Sequence, residues 1–108
     1  MKTVDYRVSE VFRAMSHPTR IAILDMLKGG PLCVCQIYPA LGLDQSITSK
    51  HLGVLRSQGI IRGRKEGLKV TYEITDERYL QVLEAVKEIL KRQWYLEGKM
   101  WNDSGKDR

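Results

Sequence analysis

The sequence predicts a mainly helical α+β domain with one small β-hairpin, and three observations carry that reading. Apolar residues recur at helical spacing in successive stretches up to residue 58 and again after residue 76. Between them the period changes to two, with Val70, Tyr72 and Ile74 alternating against Lys69, Thr71 and Glu73. The third is the break Leu41-Gly42-Leu43-Asp44, in which Gly42 suits a left-handed interhelical turn and Asp44 suits the cap of the helix that follows. The expected element order is ααααββα.

At 108 residues the chain has room for one domain, and 43% apolar composition is enough for a core. That domain is placed at residues 1–101, with a polar tail at 102–108. The 18 Lys and Arg exceed the 13 Asp and Glu, and the net charge of +5 favours a polyanionic partner. The excess is concentrated. Between Gln45 and Thr71 stand Lys50, Arg56, Arg62, Arg64, Lys65 and Lys69 against Glu66 alone, so this segment holds the whole +5. No apolar run approaches the roughly 20 residues that span a bilayer, and the first residues lack a signal-peptide core with a cleavage site, so a cytoplasmic protein is expected. Two cysteines, Cys33 and Cys35, are too few for a disulfide framework. In a reducing cytosol so close a pair is a thiol site.

Residues 4–15 place Val4, Val8, Val11, Phe12 and Met15 at helical spacing, with Asp5, Arg7, Glu10 and Arg13 between them. Ser16-His17-Pro18 ends this helix, because the residue before a proline is pushed out of the helical region and Pro18 suits the first position of the next one. His17 is a structural or capping residue on this reading. The second helix, 18–28, carries Ile21, Ile23, Leu24 and Leu27 and stops at Gly29-Gly30. Pro31 opens a third, 32–41, with Val34, Ile37, Tyr38 and Leu41 as its buried stripe. A fourth runs from Gln45 to about Gln58, closed by Gly59. Strands at 60–65 and 68–75 follow, turning at Lys65-Glu66-Gly67. The last helix begins at Asp76 or Glu77 and reaches Trp94 or Trp101, and its apolar band from Tyr79 to Trp94 is wider than one core face needs. With the first helix it suggests a homodimer joined through the two ends of the chain.

On the fourth helix Thr48, Leu52 and Leu55 share an inner face, with Ile47 and His51 beside it, while Gln45, Ser46, Ser49, Lys50 and Arg56 point away. An enzyme needs a concave site with matched acid, base or nucleophile. An outward row of Gln, Ser and Lys suits phosphates and base edges in a major groove instead. A two-stranded hairpin is marginal alone, so it must pack on the helices and project its basic tip beside the fourth one, which is the geometry of a winged helix-turn-helix. No enzyme is expected. The rivals are a catalytic thiol protein, disfavoured because no strand-helix pattern precedes the cysteines, and a winged helix that contacts protein or RNA.

The motifs His17-Pro18-Thr19-Arg20, Leu32-Cys33-Val34-Cys35, Asp44 through Leu52, Leu55-Arg56 with Gly59-Ile60-Ile61, and Arg64-Lys65-Glu66-Gly67 occur in order. Over residues 8–75 the chain resembles the ArsR/SmtB family of winged-helix transcriptional repressors. The resemblance implies a homodimer on a palindromic operator that leaves when an inducer, usually a metal or metalloid ion, binds. It maps the recognition helix to Gln45 through Leu55, with Gln45, Ser46, Ser49, Lys50 and His51 toward the groove, and the wing to Arg62 through Lys69. Arg64, Lys65 and Lys69 are expected on phosphates, with Arg62 and Arg56 adding to the basic surface. His51 has two readings, a hydrogen bond within the fold or a DNA contact.

In arsenic-, lead- and cadmium-sensing members Leu-Cys-Val-Cys starts the helix before the recognition helix. Thiolates select As(III), Sb(III), Cd(II), Pb(II) or Cu(I), and As(III) is the first expectation. No organic cofactor is implied. Tyr38 stands where some relatives have a third cysteine, residues 1–10 contain none, and no histidine follows His51, so the last-helix Zn or Ni site of other members is missing. Residues i and i+2 of a helix diverge by about 200 degrees, so both sulfurs are expected to reach one ion only if the first turn unwinds. Oxidant or thiol sensing, and an inert remnant, are the other readings of the pair.

Overall fold

Five helices and three short strands follow one another as α1 (Thr3–Met15), α2 (Pro18–Leu27), β1 (Leu32–Cys33), α3 (Val34–Leu41), α4 (Gln45–Ser57), β2 (Ile61–Glu66), β3 (Lys69–Ile74) and α5 (Arg78–Leu96). The computed structural model describes residues 2–98, so Trp101 and the expected tail lie outside the described residues. The chain separates into two units, 1–77 and 78–108.

The first unit is built on the side chains that α2, α3, α4 and the sheet turn inward. Ile23, Leu24, Ile37, Leu52, Leu55 and Ile60 are fully buried, and Met15, Leu27, Cys33 and Ile61 nearly so. Each buried Leu or Ile is worth about 1.5–3 kcal/mol. An N-cap is worth about 1 kcal/mol, so burial fixes where α4 lies and capping fixes only where it begins. Thr48 is the polar member of the inner row, and its hydroxyl donates to the carbonyl of Asp44 at 3.0 Å. No buried side-chain polar atom among the described residues lacks a partner.

The helix boundaries follow from local chemistry. His17 caps α2 by accepting from the Thr19 amide at 3.0 Å, and Pro18 occupies the first turn where its missing amide hydrogen is not needed. Gly42 closes α3 at φ 69°, a left-handed conformation that brings the Leu43 amide back onto the Tyr38 carbonyl at 3.1 Å. Asp44 then caps α4 by accepting from the Ile47 amide at 2.8 Å.

Two sequence expectations need correction. The segment taken as a third helix from residue 32 begins as strand: Leu32 pairs with Tyr72 and Cys33 with Thr71, so the hairpin is the larger part of a three-stranded sheet in the order β1-β3-β2. Cys33 has extended backbone, φ −83° and ψ 158°, and serves as the N-cap of α3. The hairpin turn is Gly67-Leu68, not Lys65-Glu66-Gly67, since Glu66 still pairs with Lys69. Gly67 takes φ 65° at the first of the two loop positions, where a type II′ turn requires glycine.

In the second unit α5 buries Leu83, while Val82, Val86, Ile89, Leu90, Tyr95 and Leu96 are exposed. Helix α1 likewise buries only Ala14 and Met15 and exposes Val4, Tyr6, Val8 and Phe12.

Candidate functional site

Burial of Thr48, Leu52 and Leu55 turns the opposite side of α4 to solvent, where Gln45, Ser46, Ser49, Lys50 and Arg56 are all exposed. Gln45 and Ser49 make no side-chain hydrogen bond among the described residues, and Lys50 and Arg56 hold no ion pair there. Ser46 is different. Its hydroxyl donates to Asp44 Oδ1 at 3.1 Å and reinforces the cap. The Ile47 amide, and then this hydroxyl, hold the Asp44 carboxyl below its ordinary value.

His51 faces inward. Arg20 Nη1 lies 3.1 Å from His51 Nδ1, and an arginine only donates, so Nδ1 accepts and the ring proton sits on Nε2. The ring also lies at 4.5 Å from that of His17, and Arg20 Nε is anchored on the Ala14 carbonyl at 2.6 Å. One ring nitrogen is thus engaged within the fold, the first of the two readings. Partial burial, then the neighbouring His17 and Arg20, push the His51 pKa below its ordinary value. Arg20 was missed as a site residue. Its position in the His-Pro-Thr-Arg motif was the available signal.

The register sorts the wing cations onto two faces. Ile61, Gly63 and Lys65 stand opposite Ile74, Tyr72 and Val70, and Arg62, Arg64 and Glu66 stand opposite Glu73, Thr71 and Lys69. Lys65 is therefore on the apolar side of the hairpin, while Arg62, Arg64 and Lys69 share the other. Arg62 Nε binds Glu73 Oε2 at 2.6 Å and Arg64 Nη2 lies 3.4 Å from Glu73 Oε1. The Arg62 hydrogen bond, with Arg64 nearby, holds the Glu73 carboxyl below its ordinary value. The charge tally that stops at Thr71 overlooks this acid. Lys65 and Lys69 hold no ion pair among the described residues.

Cys33 and Cys35 are joined as a disulfide, with Cα atoms 5.2 Å apart. This corrects the expectation that the first turn must unwind before the sulfurs meet: Cys33 lies outside the helix, so the helical divergence does not apply to the pair. Cys33 is buried and Cys35 exposed, and Cys33 Sγ accepts from the Cys35 amide at 3.1 Å. A thiolate there would sit at the positive end of α3. Pro39 has no amide hydrogen for the Cys35 carbonyl, so the first turn of α3 lacks one of its usual ties. No group of three His, Cys, Asp or Glu that could hold a metal occurs among the described residues. The pair itself fits a soft ion as two sulfur donors, with remaining positions open to solvent or an added thiol.

A buried-faced helix presenting a polar row, followed at once by a hairpin with a cationic tip, defines a winged helix-turn-helix. The pattern described as "Bacterial regulatory protein, arsR family" matches residues 17–62. An HTH-type transcriptional regulator of Methanocaldococcus jannaschii is 38% identical over 84 residues, which are 77% of this chain and 94% of that one. A cadmium resistance transcriptional regulatory protein CadC homolog of Staphylococcus aureus is 38% identical over 78 residues, 71% of this chain and 64% of its own length. Against other longer relatives the chain spans 58 to 65% of their length. The solution structure of a homodimeric winged helix-turn-helix DNA-binding domain from Mycobacterium bovis superposes with TM-score 0.76 at 27% identity, covering 92% of this chain and 90% of that one. The chain belongs to the ArsR/SmtB family of DNA-binding transcriptional regulators, whose members are not enzymes. No helix among the described residues is long and apolar enough to cross a membrane.

Two outcomes follow from the electrostatics. An unfolded His51 takes up a proton that the folded one resists, so stability falls as pH drops through about 6.5, the ordinary imidazole value. Urea midpoints measured at about pH 7.5 and about pH 5.5 will show that fall, and it will be smaller in His51→Gln; the lowered carboxylates Asp44 and Glu73 act only in more acid solution. Glu73→Gln releases Arg62 and Arg64, so binding to duplex DNA strengthens a few-fold and its salt dependence steepens by roughly one unit of slope, measured by anisotropy across salt concentrations.

Proposed function

We propose that the chain is a cytoplasmic, homodimeric repressor that grips a palindromic operator with α4 and the wing and lets go when a soft metal or metalloid ion engages Cys33 and Cys35. One observation carries this reading: the two sulfurs converge at the amino end of α3, and the backbone of Cys33 is paired with wing strand β3. An ion bound there pulls on the wing through that pairing and on α4 through Gly42. As(III) is the first candidate, with Sb(III), Cd(II) and Pb(II) behind it. The Staphylococcus relative, named for cadmium resistance, supports a soft ion.

Within the grip the residues divide by chemistry. Gln45, Ser49 and Lys50 reach base edges, with Ser46 beside them through its cap. Arg56, Lys65 and Lys69 neutralise phosphates, and Arg62 and Arg64 do so to the extent that Glu73 releases them. Pairing of two protomers through the exposed apolar rows of α1 and α5 supplies the twofold symmetry that two half-sites require, and the Mycobacterium neighbour is homodimeric.

The disulfide in the structure favours a second reading, a dithiol switch. Two thiols give up two electrons and two protons to hydrogen peroxide, which leaves as two waters, and are joined as the disulfide, and the same ladder carries the change.

Fluorescence anisotropy on a duplex selected by the wild-type protein tests both. Reduced wild type is expected to release DNA on adding As(III) or Cd(II), whereas Cys33→Ser and Cys35→Ser bind with similar affinity and stay bound. Dissociation of both variants by the ion would place the sensor elsewhere. Release by peroxide but by none of the ions would select the second reading.

A further inference from the structure

Leu68 is the most exposed large apolar side chain among the described residues, at 104% of its reference area. It occupies the second position of the wing turn, and the fold does not ask for it there. Gly67 supplies the positive φ of the turn, and the strands are held by pairing from Ile61–Ile74 to Glu66–Lys69. A polar residue would serve the turn as well and would keep the tip soluble. Beside this leucine stand Lys65 and Lys69, neither in an ion pair among the described residues, and Glu66, the cross-strand neighbour of Lys69, so the tip presents an apolar knob with two cations and one acid around it.

We infer that Leu68 is an apolar minor-groove contact, seated between backbones held by Lys65 and Lys69, and that it favours A·T over G·C pairs beneath the wing. This rests on the proposal that α4 and the wing hold duplex DNA. Charge complementarity selects the occupant: the two lysines outnumber Glu66, Lys65 stands on the face without an acid, and cations flanking a leucine match a groove walled by phosphates, whereas an apolar protein patch would leave both lysines without a phosphate or acid from the partner. The reach agrees. Ile61 is anchored in the core at 1% exposure, and six strand residues at about 3.3 Å each carry the tip roughly 20 Å outward. Half a turn of B-form duplex, the offset from a major groove to the neighbouring minor groove, is about 17 Å. The preference follows from base chemistry. The guanine 2-amino group is the donor that distinguishes G·C in the minor groove, and a leucine laid on it can accept nothing, leaving that donor stripped of water and unpaired.

The test uses the full chain, a duplex it selects from a random pool, and the same duplex with inosine in place of guanine in the segments flanking the half-sites. Anisotropy is read at several salt concentrations for wild type, Leu68→Ala, Leu68→Asn and Lys65→Ala. Leu68→Ala and Leu68→Asn are expected to bind about three- to tenfold more weakly at every salt concentration, with the salt slope and Tm unchanged, because no phosphate contact and no core contact is lost. Lys65→Ala lowers the slope by roughly one. Placing a G·C pair in each flank weakens wild type, and inosine restores it; the two Leu68 variants do not distinguish the bases. Affinity of the Leu68 variants within twofold of wild type, or a G·C penalty that persists in them, overturns the inference while leaving the DNA reading intact. Failure of wild type to select any duplex overturns that reading and this inference with it.

Discussion

The pairing of Leu32 with Tyr72 and Cys33 with Thr71 is the constraint on which the arrangement of this protein depends. Without it the hairpin would be a two-stranded ribbon resting on α2, α3 and the end of α4, and such a ribbon is marginal in water on its own. With it, the wing is stitched to the entry of α3 and the sheet gains a third member at the expense of two residues. The same stitch places the cysteines at a junction. Cys33 contributes its backbone to the sheet, its sulfur to the cap of α3, and its burial to the core. A chemical event at that sulfur therefore has three mechanical outlets, toward the wing, toward α3 and toward the packing beneath.

The electrostatics of the candidate interface are less simple than its composition. Six cations in one segment amount to a basic surface only if they are available, and Glu73 ties two of them. Solvent-screened pairs of this kind add little to stability. Their consequence lies in charge: the side of the hairpin with Arg62, Arg64 and Lys69 also carries Glu66 and Glu73, while Lys65 stands on the other side with no acid opposite. Register, not count, decides which cations face a partner.

Much of this was legible in the sequence. Gly42 and Asp44 announced the turn and the start of α4, and the 3.6-residue period separated Thr48, Leu52 and Leu55 from Gln45, Ser49 and Lys50, because a helix face is written in neighbouring residues. The cysteine side was less legible for the complementary reason. A two-residue strand has no period, and β1 exists only because residues roughly forty positions later lie beside it. Calling Leu32 and Cys33 helical then produced the wrong geometry for the sulfurs. Arg20 and His51 are brought together from 31 positions apart, and the tip moved to Gly67-Leu68 because the Glu66–Lys69 pair closes the ladder one step further than composition suggests.

If the thiol pair acts on DNA through this ladder, its chemistry must be felt along β3. Amide hydrogen exchange of the reduced, DNA-free protein, followed residue by residue with and without As(III), measures that directly. Changed protection at Thr71 and Tyr72, together with the first turn of α3, is the predicted result. Unchanged protection in β3, under conditions where the same ion strips the protein from DNA, would contradict it.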